Sequence, residues 1–107
     1  MTPRVLAVER LSPEDLQALD AVRLVAALHE VMSEAASLGR HALGARTKLG
    51  AARKALILAD KRDAGAYAEA RCDVIDAQTL FDVIRDRAKT LREVRSMLQS
   101  VLKAEKG

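Results

Sequence analysis

An apolar seam recurs at alternating three- and four-residue steps through Ala21, Leu24, Leu28, Val31, Ala35, Leu38, Ala42, Ala45, Leu49, Ala52, Leu56 and Ala59. That spacing keeps one stripe of a helix turned toward one neighbour, which commits the chain to helices packed along their lengths. A second seam follows at Tyr67, Ala70, Val74, Ala77, Phe81, Ile84, Ala88, Leu91, Arg95, Leu98 and Leu102. Gly39, Gly44 and Gly50 fall inside the first, each costing about 1 kcal/mol relative to Ala in a helix. The seam keeps its phase across all three, which predicts a continuous helix. A break near 39–44 would give a compact three-helix bundle instead.

Composition supports this class. Of 107 residues, half are apolar; 20 are Ala, and only Tyr67 and Phe81 are aromatic. Such a core suits close helix packing, and five Gly with two Pro are too few for the turns of a β-sandwich or barrel. The length fits a single helical domain, 1–107. No apolar run is long enough to span a membrane, and the run after Met1-Thr2-Pro3-Arg4 is too short for a secretory signal. One cysteine, Cys72, cannot form an internal disulfide, so a cytoplasmic location is expected. The alanine content and the excess of Arg over Lys (12 to 6) suit a GC-rich bacterium or its phage.

Leu11-Ser12-Pro13-Glu14-Asp15-Leu16 reads as a helix start. Ser12 is the N-cap, Pro13 the first helical residue, and Leu11 with Leu16 occupy the positions of a hydrophobic staple. The expected order is an arm at 1–11, helix one at 12–62, a turn at 63–65 and helix two at 66–104. Gly65 is expected in the left-handed conformation after the helix end, with Lys61 and Arg62 in the last turn. Two helices joined so closely make an antiparallel hairpin. Pairing outward from the turn sets Leu56 by Val74, Leu49 by Phe81, Leu38 by Leu91, Val31 by Leu98 and Leu28 by Leu102.

The net charge of +3 is distributed in blocks: −3 over 1–37, +6 over 38–62, −4 over 63–84 and +4 over 85–107. Folding the hairpin sets opposite signs against each other. Apolar residues remain beyond the seams, at Val22, Val25, His29, Met32, Ala36, Gly39 and Leu43 on helix one, and at Leu80, Val94, Met97 and Val101 on helix two. Stripes of this size mark contact surfaces. They predict a homodimer completing a four-helix bundle, or another protein supplying the missing helices. Val22, Val25, His29, Met32, Leu43, Val94, Met97 and Val101 are the expected interface.

Chemistry is sparse. His29 has no convergent ligands beside it, so no metal is expected. Asp73 and Asp76 read as ion-pair partners of Arg53 and Lys54, and Cys72 as a helix-surface thiol. No phosphate-binding loop or nucleophile elbow is present, so neither cofactor, small-molecule substrate nor catalysis is expected. A basic set (Arg40, Arg46, Lys48, Arg53 and Lys54, with Arg85, Arg87, Lys89, Arg92 and Arg95) offers nucleic acid as an alternative partner. Its expected contacts are Arg46, Arg53, Arg85 and Arg92; it has no aromatic platform for bases.

Two local resemblances occur. Arg40-His41-Ala42-Leu43-Gly44-Ala45-Arg46-Thr47-Lys48-Leu49-Gly50 resembles the phosphoacceptor segment of histidine-phosphotransfer domains, which are four-helix bundles. The resemblance implies phosphate transfer at His41, although the family's Lys after Leu is absent and the spacing to both glycines is one residue short. Gly65-Ala66-Tyr67-Ala68-Glu69-Ala70 resembles the helix turn of tetratricopeptide repeats, with Tyr packed under the turn. Taken together, the residues favour a non-enzymatic helical interaction module: an adaptor, chaperone-like factor or regulator.

Overall fold

Backbone capping decides where each helix begins. In the computed structural model, which describes residues 5–106, Ser12 Oγ accepts the Asp15 N–H at 3.2 Å. The Ser12 N–H donates back to Asp15 Oδ2 at 3.3 Å. This reciprocal box, with Pro13 behind it, starts α1 (Pro13–Ala18) as expected. Leu16 is buried and Leu11 half-buried.

The helix expected over 12–62 is interrupted after one and a half turns. Leu19 is extended (φ −73°, ψ 141°), and Asp20 Oδ1 accepts the Arg23 N–H at 2.8 Å. Asp20 is a second N-cap, and capping a new helix satisfies an orphan donor that continuing α1 would not offer it. From there α2 runs Ala21–Leu58 without a break. Gly39 and Gly44 are inside it, so the three-helix alternative that needed a break there is set aside.

The turn also differs. It runs from Ala59 to Asp63 and is built by two aspartates rather than by Gly65. Asp60 Oδ1 accepts the Arg62 N–H at 2.9 Å, and its carbonyl accepts the Asp63 N–H at 3.1 Å. Asp63 Oδ1 accepts the Ala66 N–H at 3.1 Å and caps α3 (Ala64–Lys106). Gly65 therefore sits in the first turn of α3, and no glycine among the described residues has positive φ. Lys61 and Arg62 follow the end of α2 instead of closing it. The aspartate side chains accept the free amides of the turn and of the first turn of α3, and Gly65 lies within that helix.

α2 and α3 make a helical hairpin. The chain divides into two compact units. The first takes in the chain up to Leu38 and from Arg87 on, the second Gly39–Asp86. Division follows from hairpin packing, in which each layer of side chains meets only its neighbouring layers.

Both seams are buried or half-buried with three departures: Ala21, Ala35 and Arg95 are exposed. The first unit holds most of the core. Leu24, Val31 and Leu38 from α2 and Leu91 and Leu98 from α3 are buried there. So are Leu6 at the start of the short 3-10 turn Ala7–Arg10, Val8 within it, and Leu16 of α1. In the second unit the buried apolar residues among those described are Ala45, Leu49 and Ile84, with Leu56, Val74 and Phe81 half-buried. Within each unit the expected facing partners share this burial: Val31 with Leu98 and Leu38 with Leu91 in the first, Leu49 with Phe81 and Leu56 with Val74 in the second.

Candidate interaction surface

The arm expected at 1–11 is packed through Leu6 and Val8; residues 1–4 lie outside the described residues. It is fastened to α3 by a buried ion pair. Arg87 donates from Nη1 to Glu9 Oε1 and from Nη2 to Glu9 Oε2, the latter at 2.7 Å. The side chains are only 9% and 11% exposed. Glu9 Oε2 also accepts the Leu6 N–H at 2.7 Å, so one carboxylate closes the 3-10 turn and docks it. Hydrogen bonding to Arg87 holds the Glu9 carboxyl below its ordinary value against the opposing effect of burial, with further lowering from the Leu6 amide. Arg87 is raised in turn, first by that bond and also by the charges of Glu9 and Glu34. Arg87 therefore leaves the set of surface cations read from the sequence.

This latch sets which flank of the hairpin is covered. Ala7, Val8, Leu11 and Leu19 line a groove with Arg23, Ala26, Ala27 and Glu30 of α2. At about 100° per residue, those four α2 positions lie roughly 110° back around the helix from the Leu24–Leu28–Val31 seam. Arg87, Val94 and Val101 lie on the corresponding flank of α3. Val94 and Val101 are half-buried, and Val101 lines a hollow with Gln17 of α1. The N-terminal segment thus covers part of the apolar surplus that the sequence assigned to a partner.

The opposite flank of α2 carries Val22, Val25, His29 and Met32, all exposed, Val22 by 79%. The expected interface is therefore not one surface: Val22, Val25, His29 and Met32 occupy the face away from the arm, while Val94 and Val101 share the arm's face. Met97 is exposed at the outer edge of that flank of α3. Leu43, in the second unit, is 69% exposed. That unit also exposes Ile57, Leu58, Ile75 and Val83. Sequence reading passed over these because they belong to neither the seams nor the second stripes, although Ile57 and Leu58 stand within the apolar run 55–59.

The basic set is partly engaged within the second unit. Arg53 Nη2 donates to Gln78 Oε1 at 2.8 Å, and Gln78 Nε2 donates to Asp82 Oδ1 at 3.0 Å. Arg85 pairs with the same Asp82 oxygen at 3.2 Å. This chain of bonds links α2 to α3 and sets a carboxylate beside Arg85. Arg53 bonds to Gln78 rather than to the expected Asp73 or Asp76, and that amide bridges it to Asp82. Arg46 and Arg92 are exposed. His41 and Cys72 are exposed on α2 and α3 of the second unit.

Among the described residues no group of three or more His, Cys, Asp or Glu is placed to hold a metal ion, and no helix is long and apolar enough to cross a membrane. Compared with known protein families, curated proteins and solved structures, the chain matches none.

Proposed function

We propose that this protein is a non-enzymatic helical interaction module of the cytoplasm, an adaptor, chaperone-like factor or regulator, acting through the uncovered flank of α2 in its first unit. The observation that carries the reading is the contrast between the two flanks. One is partly covered by the chain's own arm and α1. The other presents Val22, Val25 and Met32 in a row, exposed, beside a well-packed core. A row of large apolar side chains in water loses burial worth about 25 cal/mol per Å², and a partner recovers it. Helices from outside the chain fit such a stripe, whether from a second copy completing a four-helix bundle or from another protein. Met32 suits this surface, because its flexible thioether adapts to the shape presented to it.

Site-specific photocrosslinking in the cell that makes the protein tests this. A photoreactive residue at Val25 or Met32 is expected to give discrete adducts, while one at Leu11 on the covered flank gives none. No adduct from positions 22, 25 and 32 would remove the flank as the contact surface.

A further inference from the structure

We infer that the partner seated on this flank is an amphipathic helix carrying acidic side chains beside its apolar stripe, an inference that rests on the flank being the contact surface. None of the described acidic residues of α2 and α3 in the first unit shares the flank of Val22, Val25 and Met32. Of the acidic residues on its part of α2, Glu30 lines the groove under the arm, and Glu34 acts on Arg87 within the same buried cluster. Both belong to the covered side. Glu93 lies on the side of α3 turned away from α2 and is exposed.

In an antiparallel pair, the flank of α3 that shares a face with Val22, Val25 and Met32 is the one opposite Arg87 and Val94. Arg92 and Lys103 occupy it, with Arg95 between them and the seam, and all three are exposed. None of them bonds to a carboxylate among the described residues. Among the described residues the face is an apolar ridge beside a basic row, with no acid to balance it.

That sign chooses the occupant. A second copy laid face to face would bring two basic rows toward each other, and like charges across an interface oppose association. A nucleic acid would match the cations but leave Val22, Val25 and Met32 unburied. An apolar helix edged with Glu or Asp satisfies both halves of the surface, the apolar contact supplying affinity and the charges orientation and rate of encounter.

The test uses the full chain and two labelled synthetic helical peptides with the same Leu-rich stripe, one edged with Glu and one with Lys. Fluorescence anisotropy at low and moderate salt is expected to show the Glu peptide binding about tenfold more tightly, the margin narrowing with salt. Met32→Glu should abolish binding of both peptides. Arg92→Glu combined with Arg95→Glu should invert the preference. Equal binding of the two peptides, still lost in Met32→Glu, would overturn the acidic partner while leaving the contact surface standing. Binding of neither peptide, with light scattering showing a dimer that Met32→Glu dissociates, would make a second copy the occupant. Tighter binding of a DNA duplex than of the Glu peptide, unaffected by Met32→Glu, would overturn both readings.

Discussion

Glu9 and Arg87 are separated by 78 positions in the chain, and their pairing depends on the arm folding back. Breaking a buried pair costs more than the pair contributes, because the remaining charge is stranded away from water. Glu9→Gln keeps the size and an acceptor for the Leu6 amide but removes the charge, so it is expected to destabilise the protein by about 3 kcal/mol in urea unfolding. Glu9→Leu combined with Arg87→Met replaces both charges with apolar groups and should recover most of that loss. The pH dependence has a definite sign. The Glu9 carboxyl is held below its ordinary value of 4.5. Its contribution is therefore complete above that pH and lost as pH falls through the lower folded value. Urea midpoints measured between neutral pH and the acid limit should converge for the native protein and Glu9→Gln as the pH drops. A gap that persists unchanged in acid would assign the loss to shape rather than charge.

At the scale of elements, much was legible and the reasons for the rest are specific. The two seams predicted the hairpin and its buried layers because alternating three- and four-residue steps have one geometric meaning. Ser12 and Pro13 predicted the start of α1 because a cap acts on amides within three residues of itself. Asp20 carried an equally local signal, but the apolar pattern on both sides hid it inside a longer expected helix. Gly65 was misread because its role depended on what Asp63 did two residues before. The exposed stripe Val22–Met32, which we propose as the contact surface, was legible, but not its separation from Val94 and Val101, since the arm that distinguishes the two flanks is positioned by a long-range pair. Helical glycines then make a direct prediction. Nothing lies within 4 Å of a Cβ built at Gly44, and one built at Gly65 meets only Asp63 Oδ1 at 3.6 Å, an ordinary contact. Gly44→Ala and Gly65→Ala should each raise stability by about 0.5–1 kcal/mol, read as a higher thermal midpoint. A loss at position 65 would mean that a left-handed conformation is used there after all.

For the molecule as a whole, the two units differ in what holds them together. The first combines Leu6, Val8 and Leu16 with five buried leucine and valine positions of α2 and α3, and adds the Glu9–Arg87 latch. The second has the buried trio Ala45, Leu49 and Ile84, layers of half-buried side chains, and the chain of bonds from Arg53 to Arg85. Alanine layers bring less apolar area out of water per residue than leucine layers do, and two helices alone cover only one stripe of each other. Local opening should therefore take less free energy in the second unit than in the first, although α2 and α3 are continuous helices. Hydrogen exchange followed by mass spectrometry resolves the two. Amides of 46–56 and 68–82 are expected to exchange through frequent local openings, while those of 25–37 and 89–101 are protected longer. Glu9→Gln should erase much of this difference by loosening the first unit selectively. Uniform protection along both helices would show that the hairpin opens as one cooperative body, and that the thinner core of the second unit sets the stability of neither.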